Sequence, residues 1–247
     1  MKTIKLVITE KIASSKRKVA HLSLTNERNL NAINYDLYEE LKKSMEVIRD
    51  REDIGILIIS SEVAKAFSSG VDVSFIKSLT NEEICRFFTD LSLLFDQLAT
   101  LPMPTIAVIN GYTFGAGADL ALSCDLRIAA ADAIFRFPGP QFGLILGTQR
   151  LIQEIGASRA RMLTLLNQKV DAQTAKNFGL VHEVCHDIQA TYEVASDWIE
   201  TLQIVPLTTI QTIKRLGYDQ ENFSSELTKE SVLIGDFKVR FINYISK

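Results

Sequence analysis

The stretch Ile106–Leu126, IAVINGYTFGAGADLALSCDL, carries the strongest fold signal in the chain. An apolar run that ends at Asn110 predicts a buried strand, and the small residues Gly115–Ala118 predict the start of a helix. Small residues let a ligand approach the backbone, and the first helical turn has N–H groups without intrahelical partners. These groups suit an anion, or a carbonyl oxygen that acquires negative charge. Close packing of the helix on a sheet explains the small residues equally well.

A second loop of similar chemistry is Lys65–Ile76, KAFSSGVDVSFI, which also follows an apolar strand. Its segment Ser68-Ser69-Gly70 is a common turn when it stands alone. Two such loops after consecutive strands indicate a shared site more strongly than either loop alone. The reason is that adjacent parallel strands place their carboxyl ends on one edge of a sheet. We therefore expect two backbone N–H groups to converge on a single oxygen.

Neither loop fits a nucleotide-binding motif. No G-K-[ST] closes the glycine stretch, as a P-loop requires. A G-x-G is present, but it follows the fourth strand instead of the first, and no third glycine follows at the offset of a dinucleotide-binding fingerprint. A nucleotide-binding enzyme is therefore excluded by the context of the motifs.

Apolar periodicity outside these loops predicts alternating strands and helices in the first half of the chain. The predicted strands are Lys5–Thr9, Val19–Leu24, Ile54–Ser60, Thr105–Asn110 and Leu126–Ala130, with a polar turn rich in lysine and serine between the first two. The predicted helices are Asn34–Asp50, Asn81–Thr100 and Gly115–Cys124. This alternation is typical of a mainly parallel sheet with helical crossovers.

After about Phe137 the periodicity becomes helical. The predicted helices are Arg150–Ile155, Ala157–Asn167, Ala172–Phe178, Ile188–Leu202, Leu207–Tyr218 and Ser224–Ile234. We interpret the chain as a core over residues 1–186 followed by a C-terminal helical region over residues 187–247.

Size, charge and cysteine content restrict the class of protein. The chain has 247 residues, 47% of them hydrophobic, and a net charge of −3, so nucleic acid is not expected as a partner. Cys85, Cys124 and Cys185 form no C-x-x-C pair, which favours reduced, mostly buried thiols and a cytoplasmic location. MKTIKLVITE reaches a glutamate too early for a signal peptide, and no run approaches the roughly 18 apolar residues of a membrane span.

Taken together, the two loops resemble the enoyl-CoA hydratase/isomerase (crotonase) superfamily. KAFSSGVDVSFI followed by NGYTFGAGADLALSCDLRIAA carries the resemblance. Further similar segments are LTNERNLNAIN (Leu24–Asn34), FGLILGTQRL (Phe142–Leu151) and LTLLNQKVDAQTAKNFGLVHEV (Leu163–Val184). They follow the order and spacing of the family over about residues 20–185.

The resemblance implies an α/β fold class, a crotonase-like spiral of ββα turns with a helical C-terminal oligomerisation region. It also implies a homotrimer or a dimer of trimers, and we expect Trp198, Ile199, Leu202 and Ile204 in the predicted C-terminal helices to lie at the subunit contacts. The implied substrate is an acyl-CoA thioester. Coenzyme A is then part of the substrate, and neither a separate cofactor nor a metal is expected.

The resemblance also assigns an oxyanion hole, in which two backbone N–H groups bind the thioester oxygen. By motif position the donors are Val71 and Ala116. Ser69, Gly70 and Gly115, beside these donors, are the implied substrate contacts.

For the CoA phosphates the family has a basic residue in the segment matched by residues 28–32. The usual position holds Asn29 here, and Arg28 beside it is the candidate. A solvated surface arginine explains Arg28 as well.

Hydratases of this family use two glutamates to activate and deliver a water molecule. The first position holds Asp119, similar to the dienoyl-CoA isomerases of the family, and we predict that it is the acid/base group. A carboxylate favoured by the N-terminal helix dipole explains Asp119 equally well. The second position holds Gly139, and a shift by one step would place Gln141 after Pro140, which is not a carboxylate either.

Two hypotheses follow from this pattern. The leading one is an acyl-CoA enzyme that stabilises a thioester enolate and is of isomerase type, because hydration by two carboxylates has no second carboxylate here. The alternative is a catalytically impaired homologue that binds acyl-CoA or an acyl carrier. No histidine, cysteine or carboxylate cluster has metal-ligand spacing, and no serine belongs to a recognisable triad.

Overall fold

A computed structural model describes residues 3–9, 17–217 and 224–246. Within them the main sheet has six strands, and every neighbouring pair except the first is parallel. In spatial order these strands are β1 (Ile4–Ile8), β2 (Lys18–Leu24), β3 (Ile54–Ser61), β5 (Thr105–Ile109), β7 (Leu126–Ala130) and β10 (Glu183–Cys185). The predicted parallel sheet and its strands are thus confirmed to within one or two residues.

A second, smaller sheet lies at the carboxyl ends of the main strands. Its members are β4 (Ala66–Ser68), β6 (Tyr112–Phe114), β8 (Ile134–Arg136) and β9 (Val170–Asp171). The resemblance implies a second strand in each ββα turn, but apolar periodicity did not locate these strands, because strands of two or three residues are too short to show a period. Each of the pairs β3–β4, β5–β6 and β7–β8 gives one strand to each sheet before the chain enters a helix, which is a spiral of ββα turns.

The described helices surround both sheets. They are α1 (Tyr35–Arg49), α2 (Val73–Ser78), α3 (Asn81–Ala99), α4 (Ala116–Leu122), α5 (Thr148–Ile155), α6 (Ala157–Leu165), α7 (Ala172–Phe178), α8 (Ile188–Gln203), α9 (Leu207–Gly217), α10 (Ser224–Leu233) and α11 (Phe237–Ile245). The predicted helices are all present, whereas α2 and α11 were not predicted. The predicted polar turn lies mostly within residues 10–16, and Tyr218 ends a predicted helix; both are outside the described residues.

Helix α8 covers the face of the main sheet that lies opposite the larger apolar core. Ile199 is buried there, and Trp198 and Leu202 pack against the same apolar cluster. Ile199 therefore covers the sheet of its own chain, and the subunit contact expected for Trp198 and Leu202, which are only partly buried, stays a prediction. Ile204, the fourth residue of that prediction, is 82% exposed.

Helix α11 brings the C-terminal end of the described chain onto the 3₁₀ turn Gly139–Phe142. The Phe142 ring lies 5.8 Å from that of Phe237 and 5.2 Å from that of Phe241, measured between centroids. Aromatic pairs at such distances contribute beyond the area that they bury. The turn and α11 therefore pack as one wall.

Cys85, Cys124 and Cys185 are buried and form no disulfide, in agreement with the sequence prediction. None of the helices in the described part of the chain has the length and apolar character needed to span a membrane.

Candidate active site

The two loops identified from the sequence meet at one edge of the sheets. Strands β3 and β5, which precede them, are parallel neighbours. A Cβ atom placed on Gly70 would lie 2.8 Å from the carbonyl oxygen of Phe114 and 3.8 Å from the backbone nitrogen of Ala116. The expected convergence of the two loops is therefore present.

Each loop holds one backbone N–H after a glycine of positive φ. Gly70 has φ +97° and precedes Val71, and Gly115 has φ +49° and precedes Ala116. Among the described residues, neither of these two N–H groups donates to a protein acceptor. Two such donors side by side can bind one oxygen that carries developing negative charge.

The loop around Val71 is held by hydrogen bonds on both sides of that residue. The Ile33 N–H donates to the Gly70 carbonyl at 2.7 Å, and the Asp72 N–H donates to the Ile33 carbonyl at 2.9 Å. The Asp72 carboxylate in turn accepts from the Phe75 N–H and caps α2. These bonds fix the peptide planes on either side of Val71, so its N–H is held in one direction.

Gly117 confirms that one of the small residues serves close packing of the helix on a sheet. A Cβ atom on Gly117 would lie 2.6 Å from both the carbonyl oxygen and the Cβ of Ser68. Helix α4 therefore approaches β4 more closely than any side chain allows. The small-residue segment serves close packing through Gly117 and leaves the N–H of Ala116 open at the helix start.

A cavity of ≈ 170 Å³ opens beside these donors. Its walls are mostly apolar, and the described lining residues that carry charge are Asp119 and Arg136. The lining consists of Ser69, Gly70, Val71, Val73, Phe114, Gly115, Ala116, Asp119, Arg136, Phe137, Pro138, Gly139, Pro140, Phe142, Leu144, Leu146, Gly147, Thr148, Phe241, Tyr244 and Ile245. The predicted site residues other than Arg28 thus share one cavity.

Asp119 presents a carboxyl group to this cavity from the first turn of α4. The residue is 7% exposed, and burial raises the pKa of its carboxyl to about 7, although the positive charge of Arg150 acts in the opposite direction. A group that titrates near neutral pH can both accept and donate a proton under working conditions. The predicted acid/base position therefore has the electrostatics of such a group.

The Asp119 carboxyl lies against the start of α5. A Cβ atom on Gly147, the N-cap of that helix, would lie 2.0 Å from the Asp119 Oδ1. Behind it, Arg150 is buried and forms an ion pair with Asp96 of α3. Because a buried charge needs a partner, Asp96 neutralises Arg150 and limits how strongly Arg150 acts on Asp119.

Gly139, at the second expected glutamate position, opens the 3₁₀ turn and lines the cavity. A Cβ atom there would lie 3.0 Å from the carbonyl oxygen of Leu144, so even a small side chain requires that carbonyl to shift. Gln141, the shifted alternative, donates from its Nε2 to the carbonyl oxygens of Thr164 and Leu165 instead.

Arg28 is exposed and does not line the cavity. Its 3₁₀ turn, Glu27–Asn29, nevertheless contacts the Val71 loop, because Ser69 donates from its backbone N–H to Leu30 and from its hydroxyl to the Asn29 carbonyl. Arg28 therefore lies on a segment that supports the site, and its contact with CoA stays a prediction.

Several lining residues had no signal in the sequence. Gly147 lies in the similar segment Phe142–Leu151 without an assigned role, and neither Arg136 nor Tyr244 was a candidate site residue. Tyr244 reaches the cavity because α11 folds back onto the 3₁₀ turn, a long-range contact that no local pattern encodes. The described residues contain no group of three histidine, cysteine or carboxylate side chains placed to hold a metal ion.

Comparisons with known proteins agree with this architecture. The family model of enoyl-CoA hydratase/isomerase matches residues 14–232. A crotonyl-CoA hydratase of Syntrophomonas wolfei is 31% identical over 74% of this chain and 72% of its own length. A short-chain-enoyl-CoA hydratase of Clostridium acetobutylicum is 30% identical over 83% of this chain and 80% of its own length.

Among solved structures, one from Bordetella parapertussis assigned to enoyl-CoA hydratase/isomerase superposes with a TM-score of 0.88. It is 25% identical and covers 98% of both chains. The ββα spiral and these similarities identify an enzyme of the crotonase fold. The chain belongs to the enoyl-CoA hydratase/isomerase family.

The raised pKa of Asp119 predicts a pH-dependent stability. The folded protein binds this proton more tightly than the unfolded chain, whose carboxyl has a pKa near 3.8. Stability then falls as pH rises from about 4 to about 7, by up to about 4 kcal/mol. Asp119→Asn cannot ionise and is expected to stabilise the protein by about 2–3 kcal/mol more at pH 8 than at pH 5, measured by urea unfolding.

Asp197→Asn, on the exposed surface of α8, controls for the loss of one negative charge. An Asp119→Asn effect of equal size at both pH values would show that the carboxyl is not held in its neutral form.

Proposed function

We propose that this protein binds an acyl-CoA thioester and moves a proton to and from the carbon next to the thioester carbonyl. The single observation that carries the proposal is one cavity that joins two unpartnered N–H groups with a buried carboxyl of pKa about 7. Enolate formation needs both parts, an oxyanion site and a group that exchanges a proton.

The N–H groups of Val71 and Ala116 are proposed to bind the thioester oxygen as negative charge develops on it. Both are backbone donors in a cavity with apolar walls, where they act at low dielectric and without reorganisation. Removal of one donor of this kind typically costs about 3–4 kcal/mol of transition-state stabilisation. Ser69, Gly70 and Gly115 support this role as neighbours that let the substrate approach the backbone closely.

Asp119 is the proposed acid/base group. Gly139 stands where a hydratase of this family has its second glutamate, and this substitution restricts the reactions that the site can catalyse. Hydration by two carboxylates requires a second titratable group, whereas Asp119 is the carboxyl that the described residues present to the cavity. A single carboxyl can remove a proton and return it at another carbon, so the proposed reaction is a double-bond shift. The relatives are named hydratases and support neither this isomerase-type reaction nor the binding-only alternative. Hydration is therefore the second candidate.

The cavity volume favours a short acyl chain. A cavity of roughly 150 Å³ holds a benzene molecule, and this one measures ≈ 170 Å³. An acyl group of about six carbons or fewer therefore fits. The CoA part of the substrate is proposed to bind outside this cavity. Arg28 is the candidate ligand of its phosphates.

The primary test combines binding with proton exchange. Hexanoyl-CoA is expected to raise the melting temperature, and hexanoic acid is not, because the thioester oxygen and the CoA moiety supply the anchoring. Incubation of hexanoyl-CoA in D₂O should introduce deuterium next to the carbonyl, detected by mass spectrometry. Asp119→Asn should abolish exchange while CoA-thioester binding persists. Equal shifts by acid and thioester, or exchange that survives in Asp119→Asn, would contradict the proposal.

Hydration of crotonyl-CoA is expected to be slow, because a missing acid–base group typically removes 10²–10⁴-fold in rate. Gly139→Glu should raise it if the Leu144 carbonyl yields, and Gly139→Gln, of equal size without a carboxyl, should not. The measurement is the loss of enoyl-thioester absorbance. Wild-type hydration at ordinary enzyme rates that depends on Asp119 would assign the protein as a hydratase.

We also propose a homotrimer or a dimer of trimers, in the cytoplasm and without a separate cofactor. Apolar side chains on the C-terminal helices support assembly: Ile213 is 63%, Leu216 83% and Leu233 61% exposed. Such side chains mark contact surfaces when they cluster. Light scattering should give a mass of three or six times 27.6 kDa, and a mass equal to one chain would contradict the proposal.

A further inference from the structure

Arg136 and Tyr244 form a polar patch in the mostly apolar cavity wall. Both residues line the cavity and both are partly exposed. They come from distant parts of the chain, β8 and α11, and Asn167 lies between their side chains. The proposed reaction at Asp119 requires neither of them.

The direction of the hydrogen bonds in this patch follows from arginine chemistry. The Arg136 Nε can only donate, and it donates to the Asn167 Oδ1 at 2.9 Å. The Asn167 Nδ2 must therefore face Tyr244, and it donates to the Tyr244 hydroxyl oxygen at 3.2 Å. Since that oxygen accepts, the tyrosine O–H is left to donate elsewhere.

Asn167 is held in an uncommon backbone conformation to make this connection. Its φ is +52°, in the left-handed region that asparagine adopts more readily than most residues. The Phe142 ring, 5.3 Å from the ring of Tyr244 between centroids, packs against the tyrosine from the other side. The position of the Tyr244 hydroxyl is thus determined by two independent contacts.

The patch therefore offers donors and has no acceptor of its own to match them. No carboxylate of a described residue forms an ion pair with Arg136, and its two terminal nitrogens have no protein acceptor in the described part of the chain. A guanidinium fork beside a hydroxyl donor matches a carboxylate, which only accepts and can bind both nitrogens of the fork.

We propose that Arg136 and Tyr244 bind a carboxylate at the far end of the acyl chain, so that the preferred substrate is the CoA thioester of a dicarboxylic acid. This proposal rests on the proposed function. Phe137, Pro138 and Ile245 line the same cavity. Apolar walls of this kind suit the methylene groups between a thioester and a terminal carboxylate, and they suit the strongly hydrated phosphates of CoA poorly.

The test measures dissociation constants of glutaryl-CoA and pentanoyl-CoA, which have five acyl carbons each and differ in the terminal carboxylate. We expect the wild type to bind glutaryl-CoA about tenfold or more tightly, the size of one charge-assisted hydrogen bond. Arg136→Met and Tyr244→Phe should each reduce this preference and leave the affinity for pentanoyl-CoA within about twofold.

Tyr244→Phe keeps the ring that packs on Phe142, so it tests the hydroxyl if Arg136→Met fails to fold. Lys43→Met is the control. Lys43 is an exposed cation on α1, outside the cavity lining, and it tests general attraction of anions. Its substitution should leave the preference unchanged.

Arg136 could bind either the terminal carboxylate of the acyl chain or a phosphate of CoA. The corresponding pantetheine thioesters, which lack the phosphates, distinguish these two anions. A preference for glutaryl over pentanoyl that persists in the pantetheine thioesters supports the proposal. The proposed carboxylate site is overturned if the wild type binds glutaryl-CoA and pentanoyl-CoA with equal affinity. It is also overturned if Arg136→Met weakens both CoA thioesters alike and neither pantetheine thioester, because Arg136 then binds a phosphate. If no CoA thioester binds, the proposed function fails and the carboxylate site fails with it.

Discussion

Two backbone N–H groups without a protein acceptor, held side by side, are the constraint on which the site depends. An open N–H normally finds a partner within the fold, and these two are kept open by the shape of the backbone around them. Gly70 and Gly115 supply the positive φ angles, and Gly117 lets α4 approach β4. The parallel neighbours β3 and β5 then place both loops on one edge. The arrangement uses the backbone of Val71 and Ala116 and makes no use of their side chains.

Burial of the Asp119 carboxyl supports the second part of the proposed reaction, the exchange of a proton. Asp119 lies where water is scarce, and the resulting rise of its pKa opposes ionisation. Arg150 favours the ionised form, while Asp96 compensates the charge of Arg150. The balance places the pKa near neutral pH, which suits the proposed proton transfer and lowers the stability of the folded protein at higher pH. A functional group that lowers stability is expected at an active site.

Helix α11 forms one wall of the cavity, so the C-terminal part of the chain contributes to the candidate site. The aromatic contacts of Phe142 with Phe237 and Phe241 fix this helix on the turn that begins at Gly139. The turn thus contributes packing where the family pattern has a second carboxylate. The same contact brings Tyr244 towards Asn167 and Arg136, so that the proposed carboxylate site consists of residues distant from Asp119 in sequence.

The sequence by itself determined the parallel sheet, most helices and the two loops, because glycines and apolar periods act locally. The resemblance to the family predicted Asp119 as the acid/base group, which stays a prediction, and identified Gly139 where the family pattern has a glutamate. Tertiary structure alone decided the small sheet, the contact of Asp119 with Gly147, and the arrival of α11 at the cavity. It also buried Ile199 against the sheet of its own chain. These features depend on residues far apart in the chain, and a local pattern cannot specify which distant surfaces meet.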